Sequence, residues 1–249
     1  FILVDDLKAF RVRKVFTAGR LIAEDGRILI PLDDAAAGAP SHSIHLKPLD
    51  EDALSLPVRT GKARVIGIEP ASLVTKSLVR EVKTDDTGCF QSALNPGLTK
   101  IAVIERHKRT GKLGIGILEG YGLTGGAIAT TISHDSHNIV VAGDNDPDML
   151  LAVRELADMG GGIVSVHGGA IRRLPLPIAG LMTSADPQEV NAVLHDMLVA
   201  ARAELGIPED VEPFMTLSFM ALPVIPELKL TARGLFNVNT FSFVGVEAD

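Results

Sequence analysis

Five consecutive polar residues, His134-Asp135-Ser136-His137-Asn138, are the segment of this sequence best suited to chemistry. Imidazole and carboxylate groups transfer protons near neutral pH, and both also bind divalent metals. The same composition is also typical of a polar turn, in which Asp135 and Asn138 hydrogen-bond nearby backbone groups. The segment therefore predicts either a functional site or a turn.

Apolar stretches on both sides must position this segment. Residues 125–133 precede it and residues 139–143 follow it, and both stretches are typical of strands. If the segment continued a strand, Asp135 and His137 would share one face and His134 would point to the other, because side chains alternate along a strand. If the segment is instead the tip of a hairpin, all five side chains could converge on one spot.

The remaining sequence predicts several β-hairpins. A turn signal separates two apolar runs in three places, which cover residues 21–30, 99–118 and 162–174. The first of these turns contains Asp25-Gly26, and the third contains His167-Gly168-Gly169. Near the C-terminus, the alternation of Met215, Leu217, Phe219 and Ala221 predicts one further strand.

Two helices have recognisable start signals. Asp146 is a suitable N-cap before Pro147, and Asp186 is a suitable N-cap before Pro187, because proline lacks a donor that the first turn would leave unpaired. Glycines at 160–162 and at 206 end these helices. With at least two helices and many strands in separate blocks, the pattern predicts an α+β fold with mixed or antiparallel sheets.

Composition excludes several classes of protein. Hydrophobic residues make up 46% of the 249 residues and charged residues 22%, which is typical of a globular chain. The net charge of −7 disfavours nucleic-acid binding, and no apolar run approaches the roughly 18 residues that span a bilayer. A single cysteine, Cys89, fits a reducing compartment and hence a cytoplasmic location. Since the chain starts at Phe1 and not at Met, we expect a piece of a longer polypeptide.

The known nucleotide and nucleophile motifs are missing. The glycine-rich stretches do not form GxGxxG between a strand and a helix, and the sequence has neither GxxxxGK[ST] nor GxSxG. The HxE and PCxxC signature of zinc cytidine-type deaminases is missing as well. These absences leave residues 134–138 as the main candidate site.

Seven segments together carry a family resemblance: residues 114–116, 125–131, 134–139, 160–164, 174–182, 222–228 and 231–236. Spread over residues 95–240, they resemble the C-terminal region of the bacterial and archaeal adenine deaminases of the amidohydrolase superfamily. Residues 5–30 resemble, more weakly, the late strands of the small β-sandwich beside amidohydrolase barrels. The resemblance implies a β-sandwich remnant and linker over residues 1–45 and an α+β C-terminal domain over residues 46–249. The linker itself is predicted at 33–45, where periodicity is lost.

The resemblance also implies a function, the hydrolysis of adenine to hypoxanthine and ammonia in purine salvage. In that family a (β/α)₈ barrel holds a divalent metal, commonly manganese or iron, and this sequence has neither an HxH pair nor the strand–helix alternation of a barrel. We therefore expect this chain to complete the active site of a barrel that lies outside it, within a homo-oligomer, and to be inactive alone.

Within the family interpretation each residue of the candidate segment has an expected role. Asp135 and His137 are the expected catalytic residues, Ser136 and Asn138 the expected substrate-binding residues, and His134 an additional metal ligand. Two alternatives remain open. One is an interaction or purine-binding module that catalyses nothing, and the other is a self-sufficient metal hydrolase centred on residues 134–138.

Overall fold

A computed structural model describes residues 1–31 and 40–248 of the chain. The backbone divides into two compact units, Phe1–Gly38 and Ala39–Asp249, which are described separately. Residues 33–39 of the predicted linker at 33–45 lie outside the described residues, and residues 40–45 form neither helix nor strand. The proposed domain bounds of 1–45 and 46–249 stay a prediction.

The first unit contains a four-stranded antiparallel sheet in the order β1-β2-β3-β4. Its strands are β1 (Ile2–Val4), β2 (Val12–Thr17), β3 (Arg20–Glu24) and β4 (Arg27–Ile28). The predicted hairpin at Asp25-Gly26 is confirmed, and both turn residues have positive φ, as a tight two-residue hairpin requires. None of the described residues of this unit is buried, so its apolar side chains have little cover.

An eight-stranded sheet forms the centre of the second unit, in the order β12-β11-β9-β10-β7-β8-β5-β6. All neighbours are antiparallel except β5 and β8, which run parallel. The strands are β5 (Lys62–Ile68), β6 (Thr75–Glu81), β7 (Leu98–Ile104), β8 (Leu113–Glu119), β9 (Gly126–Thr130), β10 (Ile139–Gly143), β11 (Gly162–His167) and β12 (Ala170–Pro175).

Both faces of this sheet are covered. One face packs on α1 (Asp146–Asp158), and the other packs on α2 (Pro187–Ala203), α3 (Pro213–Phe219) and a three-stranded antiparallel sheet. The strands of that small sheet are β13 (Leu228–Thr231), β14 (Gly234–Asn237) and β15 (Ser242–Val244). Alternate residues of each central strand enter the two cores: Val140 faces the α2 and α3 side, and Val141 faces α1.

The predicted α+β fold is confirmed, and the described residues form no closed barrel. The hairpins at 99–118 and 162–174 and both predicted helices are present. The first helix is capped by Asn145 rather than by Asp146, because the Asn145 side chain accepts a hydrogen bond from the backbone N–H of Asp148. Among the described residues, no helix is long and apolar enough to cross a membrane.

The strand predicted from Met215, Leu217 and Phe219 is wrong. This stretch is the helix α3, which starts with Pro213 and is capped by the Glu212 carboxylate accepting from the Met215 N–H. The apolar residues in and just after α3 that join the main core follow helical spacing, namely Phe214, Leu217, Met220 and Ala221. Apolar residues at every second position happened to satisfy the strand pattern as well, and the proline and the cap decide the structure.

Candidate functional site

The polar segment lies in the loop that joins β9 to β10, two neighbouring antiparallel strands at the centre of the large sheet. Every residue of both strands is buried, so the loop leaves a well-packed frame. Asp135 and Ser136 are exposed, His134 and His137 are half-buried, and Asn138 is buried. The segment is therefore a loop at a strand end and not a continuing strand.

Backbone contacts fix both ends of this loop. The His137 N–H donates to Ser133 O at 2.6 Å, and the His134 N–H donates to Ser218 O at 3.2 Å. His137 has a φ of 48°, which few residues other than glycine adopt without support from their surroundings. The second of these contacts ties the loop to the end of α3.

The two histidines of the loop lie near one another. The His134 ring packs on the Phe219 ring of α3, with 4.4 Å between centroids, and the His134 and His137 centroids are 6.3 Å apart. Stacking on Phe219 gives His134 an apolar surface on one side. The structure therefore brings both histidines together beside α3, with Asp135 between them in sequence.

Burial is the main cause of a lowered pKa at His137. The positive charges of His134 and Arg106 lower this pKa further, whereas the Asp135 carboxylate acts in the opposite direction. A lowered pKa keeps the imidazole neutral at pH 7, the form that accepts a proton or a hydrogen bond. Its buried Nδ1 atom has no hydrogen-bond partner among the described residues.

Other buried polar atoms of the loop are also without partners. Within residues 1–31 and 40–248, nothing hydrogen-bonds the Asn138 Oδ1 atom or the Ser133 hydroxyl. Buried polar groups in folded proteins are nearly always paired, and each exception needs an explanation. Unpaired atoms on Ser133, His137 and Asn138 are expected at a site that binds a polar ligand or another protein segment.

The underside of the loop is held by residues that the sequence analysis did not single out. The Arg106 guanidinium donates from Nε to His137 O, and His107 Nε2 lies 2.8 Å from Ser136 O. The sequence gives one hint of Arg106: it is a charged residue close to the end of the apolar strand β7, separated from it only by Glu105. Its partners are distant in sequence and could not be predicted from it.

The described residues do not form a metal centre. Nowhere in residues 1–31 and 40–248 do three or more His, Cys, Asp or Glu side chains meet in a group that could hold a metal ion. His134, Asp135 and His137 therefore do not make a complete ligand set by themselves. A role for His134 as a metal ligand stays a prediction that needs further ligands from elsewhere.

One open cleft lies away from this loop. An open cleft of about 720 Å³ is lined by residues of β5, β6 and β8, among them Lys62, Arg80 and Glu119. No residue of the 134–138 loop lines it, and Arg80 and Glu119 are already paired in a two-point ion pair. We give more weight to the loop, because its buried polar atoms are unpaired, whereas Arg80 and Glu119 of the cleft are paired with each other.

Comparison with known proteins identifies relatives over nearly the whole chain. The family model described as the adenine deaminase C-terminal domain matches residues 72–242. The chain is 58% identical over 247 residues to an adenine deaminase of Nitratidesulfovibrio vulgaris strain Hildenborough, covering 99% of this chain and 43% of that protein. It is 45% identical over 249 residues to an adenine deaminase 2 of Carboxydothermus hydrogenoformans, covering 98% of this chain and 43% of that protein. The chain thus spans less than half the length of these relatives.

Proposed function

Since this chain belongs to the family of adenine deaminase C-terminal domains, we propose that it is the C-terminal part of an enzyme that hydrolyses adenine to hypoxanthine and ammonia. The observation that carries the proposal is the match over residues 72–242, together with identity of 58% across nearly the whole chain. Water adds to the ring carbon that bears the amino group, and the bond between this carbon and the exocyclic amino nitrogen breaks to release ammonia. The place of this reaction in metabolism would be purine salvage.

In this proposal the 134–138 loop completes the active site. Three features support it: the loop leaves two buried strands, it exposes Asp135 and Ser136, and it contains buried polar atoms without partners. Asp135 and His137 would transfer protons, since a carboxylate and a neutral imidazole are suited to that task at pH 7. Ser136 and Asn138 would hydrogen-bond the purine ring, which has both donors and acceptors along its edges.

The metal would be bound mainly outside this chain. Because the described residues form no metal centre, we place the manganese or iron ion in an amidohydrolase barrel elsewhere in the full-length protein. His134 would add a ligand from this chain. A divalent metal in such a site makes a nucleophile available from water near neutral pH. We further propose a cytoplasmic enzyme, consistent with one free cysteine, that assembles as a homo-oligomer.

The roles of the loop are tested in the full-length enzyme with His137→Ala and Asp135→Asn. Losing one general acid or base should lower kcat by about 10²–10⁴-fold with folding intact. His195→Ala and Asp196→Asn are matched controls, because both residues are exposed on α2 and should leave kcat unchanged. The measurements are hypoxanthine release and circular dichroism.

Two outcomes would contradict this assignment. If both loop variants keep near-normal kcat and adenine affinity, the loop is structural and the assigned catalytic roles are wrong. If residues 1–249 alone, incubated with adenine and manganese, turn over in the ordinary enzyme range of roughly 1–1000 per second, the site is complete within this chain. We expect no turnover from the chain alone, because its described residues hold no metal centre.

A further inference from the structure

Within residues 1–31 and 40–248, Arg106 is a buried charge without an acidic partner. Its side chain is 1% exposed, and it is the largest of the fully buried side chains. Among the described residues its guanidinium forms no ion pair with a carboxylate, and burial lowers its pKa. Buried charges in proteins are usually paired with an opposite charge, because an unpaired one is costly to remove from water. Such a residue therefore needs a reason for its position.

Neutral acceptors replace the missing carboxylate. The guanidinium donates to His137 O, to Ser43 O at 3.1 Å, to Ser43 Oγ at 3.0 Å and to Ala179 O at 3.0 Å. These acceptors come from three segments that are far apart in sequence, and one of them is the candidate site loop. Arginine suits this task because its five donors are arranged in a rigid planar fork.

Glycine at position 180 lets the chain approach the guanidinium closely. A Cβ atom there would lie 3.0 Å from Nη1, 3.1 Å from Nη2 and 3.2 Å from Cζ of Arg106. The adjacent Thr131 hydroxyl, just after β9, donates to Gly180 O at 2.5 Å. The guanidinium is thus enclosed between the 176–182 segment and the site loop.

The next residue along the chain holds the loop at a second point. His107 Nε2 lies 2.8 Å from Ser136 O, and the tautomer protonated at Nε2 donates this hydrogen bond. Two successive residues after β7 therefore bind two successive carbonyls of the loop: Arg106 binds that of His137, and His107 binds that of Ser136. This arrangement explains how His137 keeps a φ of 48°.

We propose that Arg106 is the positioning residue of the candidate site, and that it fixes the backbone of residues 136–138 by joining it to Ser43 and Ala179. Arg106 touches no reacting atom in this proposal and acts only through the loop that it holds. The relevance of this role to catalysis rests on the function proposed above. The fixing of the loop is a separate claim and is measured separately.

The test uses the full-length protein with Arg106→Met and Arg106→Lys. Met removes every donor, and Lys keeps the charge and some donors without the planar fork. Arg173→Met is the control, since Arg173 is an exposed arginine of the edge strand β12 that pairs with Glu155 of α1. Amide hydrogen exchange is followed in a peptide that covers the loop and in a peptide that covers α1.

In Arg106→Met we expect loop exchange at least 10-fold faster, with α1 unchanged, and in Arg106→Lys a smaller increase. The kcat for adenine should fall about 10–100-fold in the Met variant, because a misplacement of about 1 Å at a site can lower the rate about 100-fold. The Lys variant should recover part of this kcat, and KM should be higher than wild type in both variants. A residue needed only for overall stability would lower the active fraction and leave KM unchanged.

Loop exchange at the wild-type rate in both variants would overturn the proposal, and so would faster exchange spread equally over α1. If Arg106→Met does not fold, Arg106→Lys decides between the same two results. If the loop exchanges faster while kcat and KM stay at wild-type values, the positioning role stands and the catalytic role of the loop is refuted. The two proposals can therefore fail separately.

Discussion

Lys229 in β13 allows a quantitative prediction about stability and pH. Its side chain is 0% exposed, and its Nζ atom donates to Leu73 O at 2.8 Å. Burial lowers the pKa of Lys229 from 10.5 to about 8. This difference of about 2.5, at 1.36 kcal/mol for each pKa unit, means that keeping the amine charged in the folded protein costs roughly 3 kcal/mol.

Lys229→Met removes this charge and keeps a long, flexible apolar side chain. Leu73 O then loses its donor, which costs about 1 kcal/mol. We therefore expect the free energy of unfolding at pH 7 to increase by about 2 kcal/mol in the variant. This gain should be specific to the buried position, so Lys62→Met, at an exposed lysine of β5, is the control and should change little.

The sign of the pH dependence follows from proton binding. Between pH 8 and 10.5 the unfolded chain holds more protons on this lysine than the folded chain does, so wild-type stability rises with pH in this range. Lys229→Met lacks this rise, and its advantage should disappear by about pH 10. The assay is urea unfolding of both proteins at pH 7 and pH 10. A variant that is less stable at pH 7, or a difference that is the same at both pH values, would refute the reasoning.

Two further predictions concern a close packing contact and an exposed surface. Gly180→Ala should lower the free energy of unfolding by about 1–3 kcal/mol, because its φ is +72° and a Cβ would press on the Arg106 guanidinium. Gly168→Ala is the control, since Gly168 has a φ of +55° and open space around it, and it should cost about 1 kcal/mol. Equal costs of the two substitutions in urea unfolding would exclude the guanidinium contact. Leu7 and Phe10 are 85% and 54% exposed, so the isolated chain should associate in solution. Light scattering should show less association when both residues are changed to lysine, and a wild-type chain that stays monomeric at high concentration would contradict this prediction.

Local signals explain which elements could be predicted from the sequence. The hairpin at 162–174 depends on a glycine turn between two apolar runs, and the helix α2 depends on an Asp186 cap followed by Pro187, so each needs only a few neighbouring residues. The 134–138 loop was predicted in the same way, as five polar residues between two apolar runs, and its role as a site stays a prediction. By contrast, apolar residues at every second position in 215–221 fitted both a strand and a helix. Glu212 and Pro213 favour the helix, and the fold agrees with them, because Leu217 lies in the core and Met215 is 56% exposed.

Long-range contacts explain what could not be predicted. Arg106 is joined to Ser43, His137 and Ala179, and these contacts exist only after the large sheet has brought three segments together. The sequence shows Arg106 as one more charged residue beside a polar hairpin loop, which is typical of a solvated surface. Its burial follows from tertiary packing, and no local pattern of residues encodes it.

The way the loop is held has a consequence for the proposed active site. Fixing the backbone of one residue costs about 1–2 kcal/mol, so ordering five loop residues at the moment of substrate binding would cost roughly 5–10 kcal/mol. In this chain the carbonyls of Ser136 and His137 and the N–H of His137 are already bound by the protein itself. If the loop is part of the proposed active site, folding has met part of this cost before substrate binds, and more binding energy can be used on the reacting groups. Substitutions beneath the loop should thus weaken catalysis even where no contact with substrate is lost.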